Sequence, residues 1–336
     1  MSYTVGIVGV TGAVGAEVLK ILEERNFPVK ELRCFASSRS AGSHVSFKDE
    51  KITVYEAKPS SFDGIDIVFF SAGGNTSKDL APEAAKRGAV VVDKSSAWRM
   101  NERVPLIIPE INAQDIDSHE GIISSPNCST IVMLMAISPL HQVNPIKRII
   151  VDTYQSASGA GGKGITELMQ QSKALMNHEE AKHETFPSVL AFNAIPHVED
   201  FSEDNYTTEE LKLRDETRKI MHSPDLPVSA TCVRVPVPIS HSEAIHIEFT
   251  HPFTPNEARK VLASAQGVIV QDDVKAHSYP LAMNATGRDE VFVGRIRQDF
   301  ALKNGLSIWS VGDNLRKGAA TNAIQIAEEL VIRNHQ

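Results

Sequence analysis

The chain is poor in cysteine. Cys34, Cys128 and Cys232 are its only three in 336 residues. An odd and scattered set excludes a disulfide framework, and none of the spacings suits a metal site. No metal is therefore expected, and a reducing, cytoplasmic compartment fits. Positive charge is also short: the formal net charge is −8, whereas a general nucleic-acid binder presents a basic face. No apolar run is long enough to cross a bilayer, and residues 1–9 lack the basic stretch of a signal peptide, so no leader or membrane anchor is expected. Internal repeats and low-complexity segments are missing too, which excludes solenoids and disordered tails. What remains is an ordinary globular composition and a length beyond one core, which predicts two domains.

The first pattern is strand, glycine turn, helix. Residues 5–8 form a short apolar run, followed at once by Gly9-Val10-Thr11-Gly12-Ala13-Val14-Gly15. Val14, Val18, Leu19, Ile21 and Leu22 then recur on one side of a helix. Glycines at such a turn let backbone N–H groups approach a pyrophosphate at the helix N-terminus. Glycine-rich turns also serve simply to bring a helix against a strand, so the context carries the signal. The next strand, over 32–36, ends in Ser37-Ser38-Arg39-Ser40 rather than in an acid. An arginine with hydroxyls suits the 2′-phosphate of NADP better than the free ribose of NAD, the alternative being a solvated loop. Strands over 65–71 and 89–93, with a helix over 78–87 between them, complete a parallel, doubly wound sheet.

Cys128 is the central candidate for chemistry. Pro126-Asn127-Cys128-Ser129-Thr130 is a tight turn leading into the apolar run 131–137. A cysteine delivered to a helix N-terminus meets unpaired N–H groups and the positive end of the helix dipole, which favour a thiolate nucleophile. The alternative is a small buried core residue. Beyond it, strands dominate over 148–155, 230–237, 243–250, 291–297 and 306–311. They predict an α+β domain with a mixed, mostly antiparallel sheet. Alternation in the 230–237 strand sets Arg234 on the face opposite its valines. Gln155 ends the 148–155 strand before a loop rich in glycine and serine, which either approaches a ligand or is a plain connection. On a helix over 208–222, Glu216 and Lys219 stand three apart, a spacing that also suits an ordinary surface ion pair. A final helix over 316–333 is placed back on the first domain. The expected domains are thus 1–127 with 313–336, and 128–312.

These motifs, in this order, resemble those of the aspartate-β-semialdehyde dehydrogenases over nearly the whole length. The carriers are the 9–15 turn, Ser95-Ser96-Ala97-Trp98-Arg99, Pro126-Asn127-Cys128-Ser129-Thr130, the run from Tyr154 to Gly161, and Cys232-Val233-Arg234 with His241. The resemblance implies an α/β chain with a Rossmann-type domain that binds NADP. The implied reaction is the reductive dephosphorylation of aspartyl-4-phosphate to aspartate-4-semialdehyde, in lysine, methionine and threonine biosynthesis. It implies a homodimer or homotetramer built through the second domain. It assigns Cys128 as the acyl-carrying nucleophile, His241 as acid/base and Gln155 as the residue that orients the reacting carbonyl. Arg234 would hold the substrate carboxylate, Glu216 its ammonium, and Arg99 with Lys219 its phosphate. Gly9, Thr11, Gly12, Ala13, Val14, Gly15, Arg39, Ser40, Ser158, Gly159 and Asn314 would meet the cofactor. The rival readings are an N-acetyl-γ-glutamyl-phosphate reductase, a glyceraldehyde-3-phosphate dehydrogenase-like enzyme, and a non-catalytic NADP-binding regulatory protein.

Overall fold

The computed structural model describes residues 2–333, so Met1 and residues 334–336 of the expected first domain lie outside the described residues. The chain divides into two compact units, Met1–Asn127 with Ala319–Gln336, and Cys128–Gly318.

In the first unit β1 (Tyr3–Val8) is buried along its whole length, as a strand covered on both faces must be. Helix α1 (Ala13–Glu24) buries Val18, Leu19, Ile21 and Leu22, its apolar stripe. Then come β2 (Val29–Ala36), β3 (His44–Phe47), β4 (Glu50–Glu56), β5 (Ile67–Phe70), α2 (Gly74–Lys86), β6 (Val90–Asp93), α3 (Pro109–Asn112) and β7 (Ile122–Ser124). The sheet order is β3-β4-β2-β1-β5-β6-β7. All neighbours are parallel except the β3/β4 pair. The order reverses at β1, whose last residue, Val8, pairs with Phe35 on one side and Phe70 on the other. The crevice beyond such a switch point is where doubly wound sheets bind ligands. Helix α2 begins at Gly74, earlier than residue 78, because extended Gly73 serves as its N-cap. The poor helix formers Gly74, Asn75 and Thr76 occupy the first turn, where capping outweighs propensity.

The second unit opens with α4 (Cys128–Val143), in which every residue from Ser129 to Ser138 is buried. Such a helix is a core element with no solvent face. The rest is β8 (Ile146–Gln155), α5 (Gly161–Met176), α6 (Thr208–Ile220), β9 (Val228–Arg234), β10 (His241–Phe249), α7 (Pro255–Ala263), β11 (Val268–Val270), α8 (Ala282–Ala285), β12 (Val291–Gln298) and β13 (Gly305–Gly312). The sheet order is β11-β12-β13-β10-β8-β9. Pairs β8/β9 and β11/β12 are parallel and the other three antiparallel, the mixed sheet the sequence predicts. Strand β9 stops at Arg234 instead of residue 237. Pro236 and Pro238 follow, and without N–H groups they cannot extend a ladder. Among the described residues, no helix is long and apolar enough to cross a membrane.

The predicted 316–333 helix is two elements. One π-helical turn, Arg316–Ala320, precedes α9 (Thr321–Arg333). Helix α9 belongs to the first unit, where Asn322 Nδ2 donates to Ile107 O at 2.9 Å. Residues 313–318, expected with the first domain, belong to the second. The reason is their side-chain bonding: Asp313 Oδ2 accepts from Gly287 N at 2.7 Å and Asn314 Oδ1 from Ser240 N at 3.0 Å.

Candidate functional site

Two sites lie in the two units. In the first, the turn after β1 opens on a cleft of about 530 Å³ lined by Gly9, Thr11, Gly12, Ser37, Ser38 and Ser71 among others. Gly9 has φ +87°, and a Cβ there would meet Ser71 O at 2.8 Å. A Cβ on Gly15 would meet Gly9 O at 2.3 Å, so that glycine lets α1 close on the turn. Helix α1 has Gly12 as its N-cap, with no side-chain cap and no acid in its first turn. Its first amide N–H groups, at Ala13 and Val14 onward, are therefore available to an anion. Arg39 is exposed in the single turn Ser38–Ser40 that follows β2, with Ser40 half-buried beside it. Glu56 also reaches the cleft, but Lys58 pairs with it at 2.7 Å. Arg99 is buried in this unit, its Nε donating to Ser125 O at 3.1 Å and an Nη to Lys94 O at 2.8 Å.

In the second unit Cys128 is the first residue of α4 and His241 the first of β10. Cys128 Sγ lies 3.3 Å from His241 Nε2. The backbone N–H of Ser156 donates to His241 Nδ1 at 3.0 Å. A ring nitrogen that accepts carries no proton, so in the neutral imidazole the proton sits on Nε2, facing the sulfur. The other thiols differ in kind. Burial pushes Cys34 up to about 12 and Cys232 well above the ordinary thiol value. Cys128 alone of the three is partly accessible.

Gln155, at the end of β8, is fully oriented. Thr153 Oγ1 donates to its Oε1 at 3.0 Å, and its Nε2 donates to Glu209 Oε1 at 2.9 Å. Lys212 Nζ donates to the other oxygen of Glu209 at 3.2 Å. The resemblance assigns Glu216 and Lys219 to this place, and the structure does not bring them there. They lie seven residues further along α6, about 10 Å at 1.5 Å per residue. Glu216 is buried mid-helix and Lys219 half-buried. The missed pair has the same spacing one stretch earlier. A capping box at Thr207 and Glu210 marks the helix start and puts Glu209 in its first turn.

Arg234 ends β9 at 7% exposure, with Nη1 donating to Ser156 O at 2.7 Å and the Phe186 ring 5.9 Å away. Burial pulls its guanidinium below the ordinary value, and Glu209 and Cys128 oppose that pull. A Cβ on Gly159 would come within 2.6 Å of Arg234 Nη1 and 3.4 Å of His241 Cε1, so only glycine leaves both where they are. Ser158 and Asn314 are buried, and Ser158 Oγ donates to Asn314 Oδ1 at 2.9 Å. Glu243, two residues after His241, is fully buried. Burial pushes its carboxyl well above the ordinary range. The second unit thus holds a thiol beside an imidazole, a carboxylate with a lysine, and a buried guanidinium: a nucleophile with charged groups of both signs. Among the described residues no group of three or more His, Cys, Asp or Glu is arranged to hold a metal ion.

The chain is similar to known proteins over nearly its whole length. A family model described as semialdehyde dehydrogenase, NAD binding domain, matches residues 4–119. Another, semialdehyde dehydrogenase, dimerisation domain, matches 137–317. Aspartate-semialdehyde dehydrogenase of Aquifex aeolicus is 55% identical over 335 residues, covering 98% of each chain. That of Bacillus subtilis is 48% identical over 334 residues, covering 97% of this chain and 96% of the relative. Among solved structures, Vibrio cholerae aspartate semialdehyde dehydrogenase II complexed with ASA has TM-score 0.95 at 42% identity, covering 98% of both chains. The Candida albicans enzyme with NADP has TM-score 0.78 at 25% identity, covering 99% of both. The chain belongs to the aspartate-semialdehyde dehydrogenase family.

Proposed function

We propose that this chain is an NADP-dependent aspartate-4-semialdehyde dehydrogenase. It converts aspartyl-4-phosphate to the semialdehyde through a thioester on Cys128, in the biosynthesis of lysine, methionine and threonine. The observation that carries the reading is the 3.3 Å contact between Cys128 Sγ and His241 Nε2, with Nδ1 held as an acceptor.

The thiolate attacks the acyl carbon; the new C–S bond forms as the C–O bond to phosphate breaks, and phosphate leaves with the bonding pair. His241 takes up one proton from solvent and passes its Nε2 proton to the departing phosphate, which returns the ring to its neutral form. Backbone N–H groups at the start of α4 stabilise the oxyanion. The nicotinamide cofactor, when bound, supplies the hydride that reduces the thioester. Collapse of the resulting thiohemiacetal breaks the C–S bond and returns the thiolate. Gln155 keeps one amide N–H for the reacting carbonyl while the other holds Glu209. Arg234 meets the substrate carboxylate and Arg99 the phosphate. Glu209 takes the ammonium role given to Glu216, and Lys212 the phosphate role given to Lys219. An acetylated substrate has no ammonium, so Glu209 argues against the N-acetyl-γ-glutamyl-phosphate reductase reading.

For the cofactor, the glycine turn and bare N-terminus of α1 suit a pyrophosphate, from Gly9 through Thr11, Gly12, Ala13 and Val14 to Gly15. Arg39 and Ser40 suit a 2′-phosphate. Ser158, Gly159 and Asn314, the last through Nδ2, complete the contacts. The second unit, matched by a dimerisation-domain model, is where a homodimer or tetramer forms. A cytoplasmic location fits the free thiols.

Reduction of NADP in the presence of aspartate semialdehyde and inorganic phosphate tests the reading. Activity is expected with that aldehyde and not with N-acetylglutamate semialdehyde; the reverse result overturns it. Replacing Arg39 with Ala is expected to cost NADPH about tenfold in kcat/KM, the order of one charge-assisted contact, and to leave NADH nearly unchanged. An unaltered cofactor preference removes Arg39 from the 2′-phosphate.

A further inference from the structure

The side-chain oxygen of Asn314 is the meeting point of three hydrogen bonds. Ser156 Oγ donates to it at 3.1 Å, Ser158 Oγ at 2.9 Å and the backbone N–H of Ser240 at 3.0 Å. Two of these donors belong to residues that fix the imidazole. Ser156 holds His241 Nδ1 through its backbone N–H at 3.0 Å, with its Oγ 3.1 Å from the same nitrogen. Ser240 precedes His241 and has φ +76°, a conformation rare outside glycine that persists only when its surroundings impose it. Asn314 is 3% exposed, so water hardly competes for its oxygen.

We propose that Asn314 is a positioning residue for His241, acting through Ser156 and Ser240 and distinct from any contact its Nδ2 makes with cofactor. One acceptor ties the loop under Nδ1 to the backbone that launches β10. It also draws the Ser156 hydroxyl proton toward itself, which fixes the rotamer of the side chain beside the ring. With the oxygen removed, the strained Ser240 backbone N–H loses its acceptor, and the Ser156 hydroxyl is left to turn to Nδ1 or to Ser158 Oγ, 3.1 and 2.9 Å away. The ring then turns away from Sγ. This inference rests on the thiol–imidazole pair of the proposed mechanism.

The test uses cofactor-free enzyme, so cofactor contacts play no part. Alkylation of Cys128 by iodoacetamide at neutral pH is followed by mass spectrometry in wild type, N314A, H241Q and the double variant. Cys34 and Cys232 are buried and do not compete. N314A is expected to slow labelling about tenfold, as a misplaced proton-transfer group does. In the H241Q background the same substitution is expected to do nothing further, the signature of action through His241. Equal slowing in both backgrounds means that Asn314 acts on Cys128 or on the fold at large, and overturns the proposal. So does labelling at the wild-type rate in N314A. If H241Q itself labels as fast as wild type, the thiol–imidazole pair fails, and the positioning role with it. Should N314A not fold, Asn314→Ser enters the same cycle, since its shorter hydroxyl cannot reach all three donors.

Discussion

Replacing Cys128 with Ser is expected to lower turnover at least ~10³-fold while cofactor affinity stays within about twofold. The substitution is nearly isosteric at the first residue of α4, so packing is kept. What changes is the nucleophile. A hydroxyl ionises far less readily than a thiol, and the positive helix end together with a hydrogen bond from His241 Nε2 stabilises a thiolate much more readily than an alkoxide. In the proposed mechanism the acyl phosphate then has no group to attack it, and reduction has no thioester to act on. Steady-state rates in the phosphate-dependent direction, paired with a fluorescence titration of NADPH, check both halves. Residual reductase activity above about one per cent of wild type would remove the covalent route, because no other accessible thiol is available to the second unit.

The parts of this chain legible in its sequence are those whose signal is local. The glycine turn after β1 announces itself by spacing, because a backbone that must pass Ser71 O within 2.8 Å of a would-be Cβ admits only glycine. Cys128 is legible because a proline turn and an apolar run mark one helix start. The glutamate that meets Gln155 is not. Helix α6 carries Glu-x-x-Lys twice, at 209–212 and 216–219, and nothing local says which copy faces β8. The capping box at Thr207 was the available clue, since it puts Glu209 at the end of the helix. Asn314 is marked only as a cofactor contact by the resemblance, and nothing local points to its bonds around His241. Its donors lie 74 to 158 positions away, and only the sheet brings them together.

The same long-range wiring makes Arg234 the second residue with a large expected effect. Arg234→Ala is expected to raise KM for aspartate semialdehyde about 10²-fold, roughly 3 kcal/mol, with KM for NADP changed less than about twofold. Nη1 is committed to Ser156 O at 2.7 Å, which leaves the rest of the fork for a carboxylate. Removing the guanidinium costs more than that contact. Glu209 loses the attraction of a buried guanidinium and keeps only its ion pair with Lys212, so it is held less firmly for the ammonium. Both ends of a zwitterionic substrate are weakened by one substitution, while the phosphate and the cofactor are untouched. Arg234→Lys separates the two effects: it restores charge near Glu209 but cannot reproduce the planar fork. It is expected to recover part of the loss and no more. A full recovery would mean that Arg234 serves as a charge alone. Parallel rises in both Michaelis constants, with a lowered melting temperature, would mean that its bond to Ser156 holds the fold and that the carboxylate binds elsewhere.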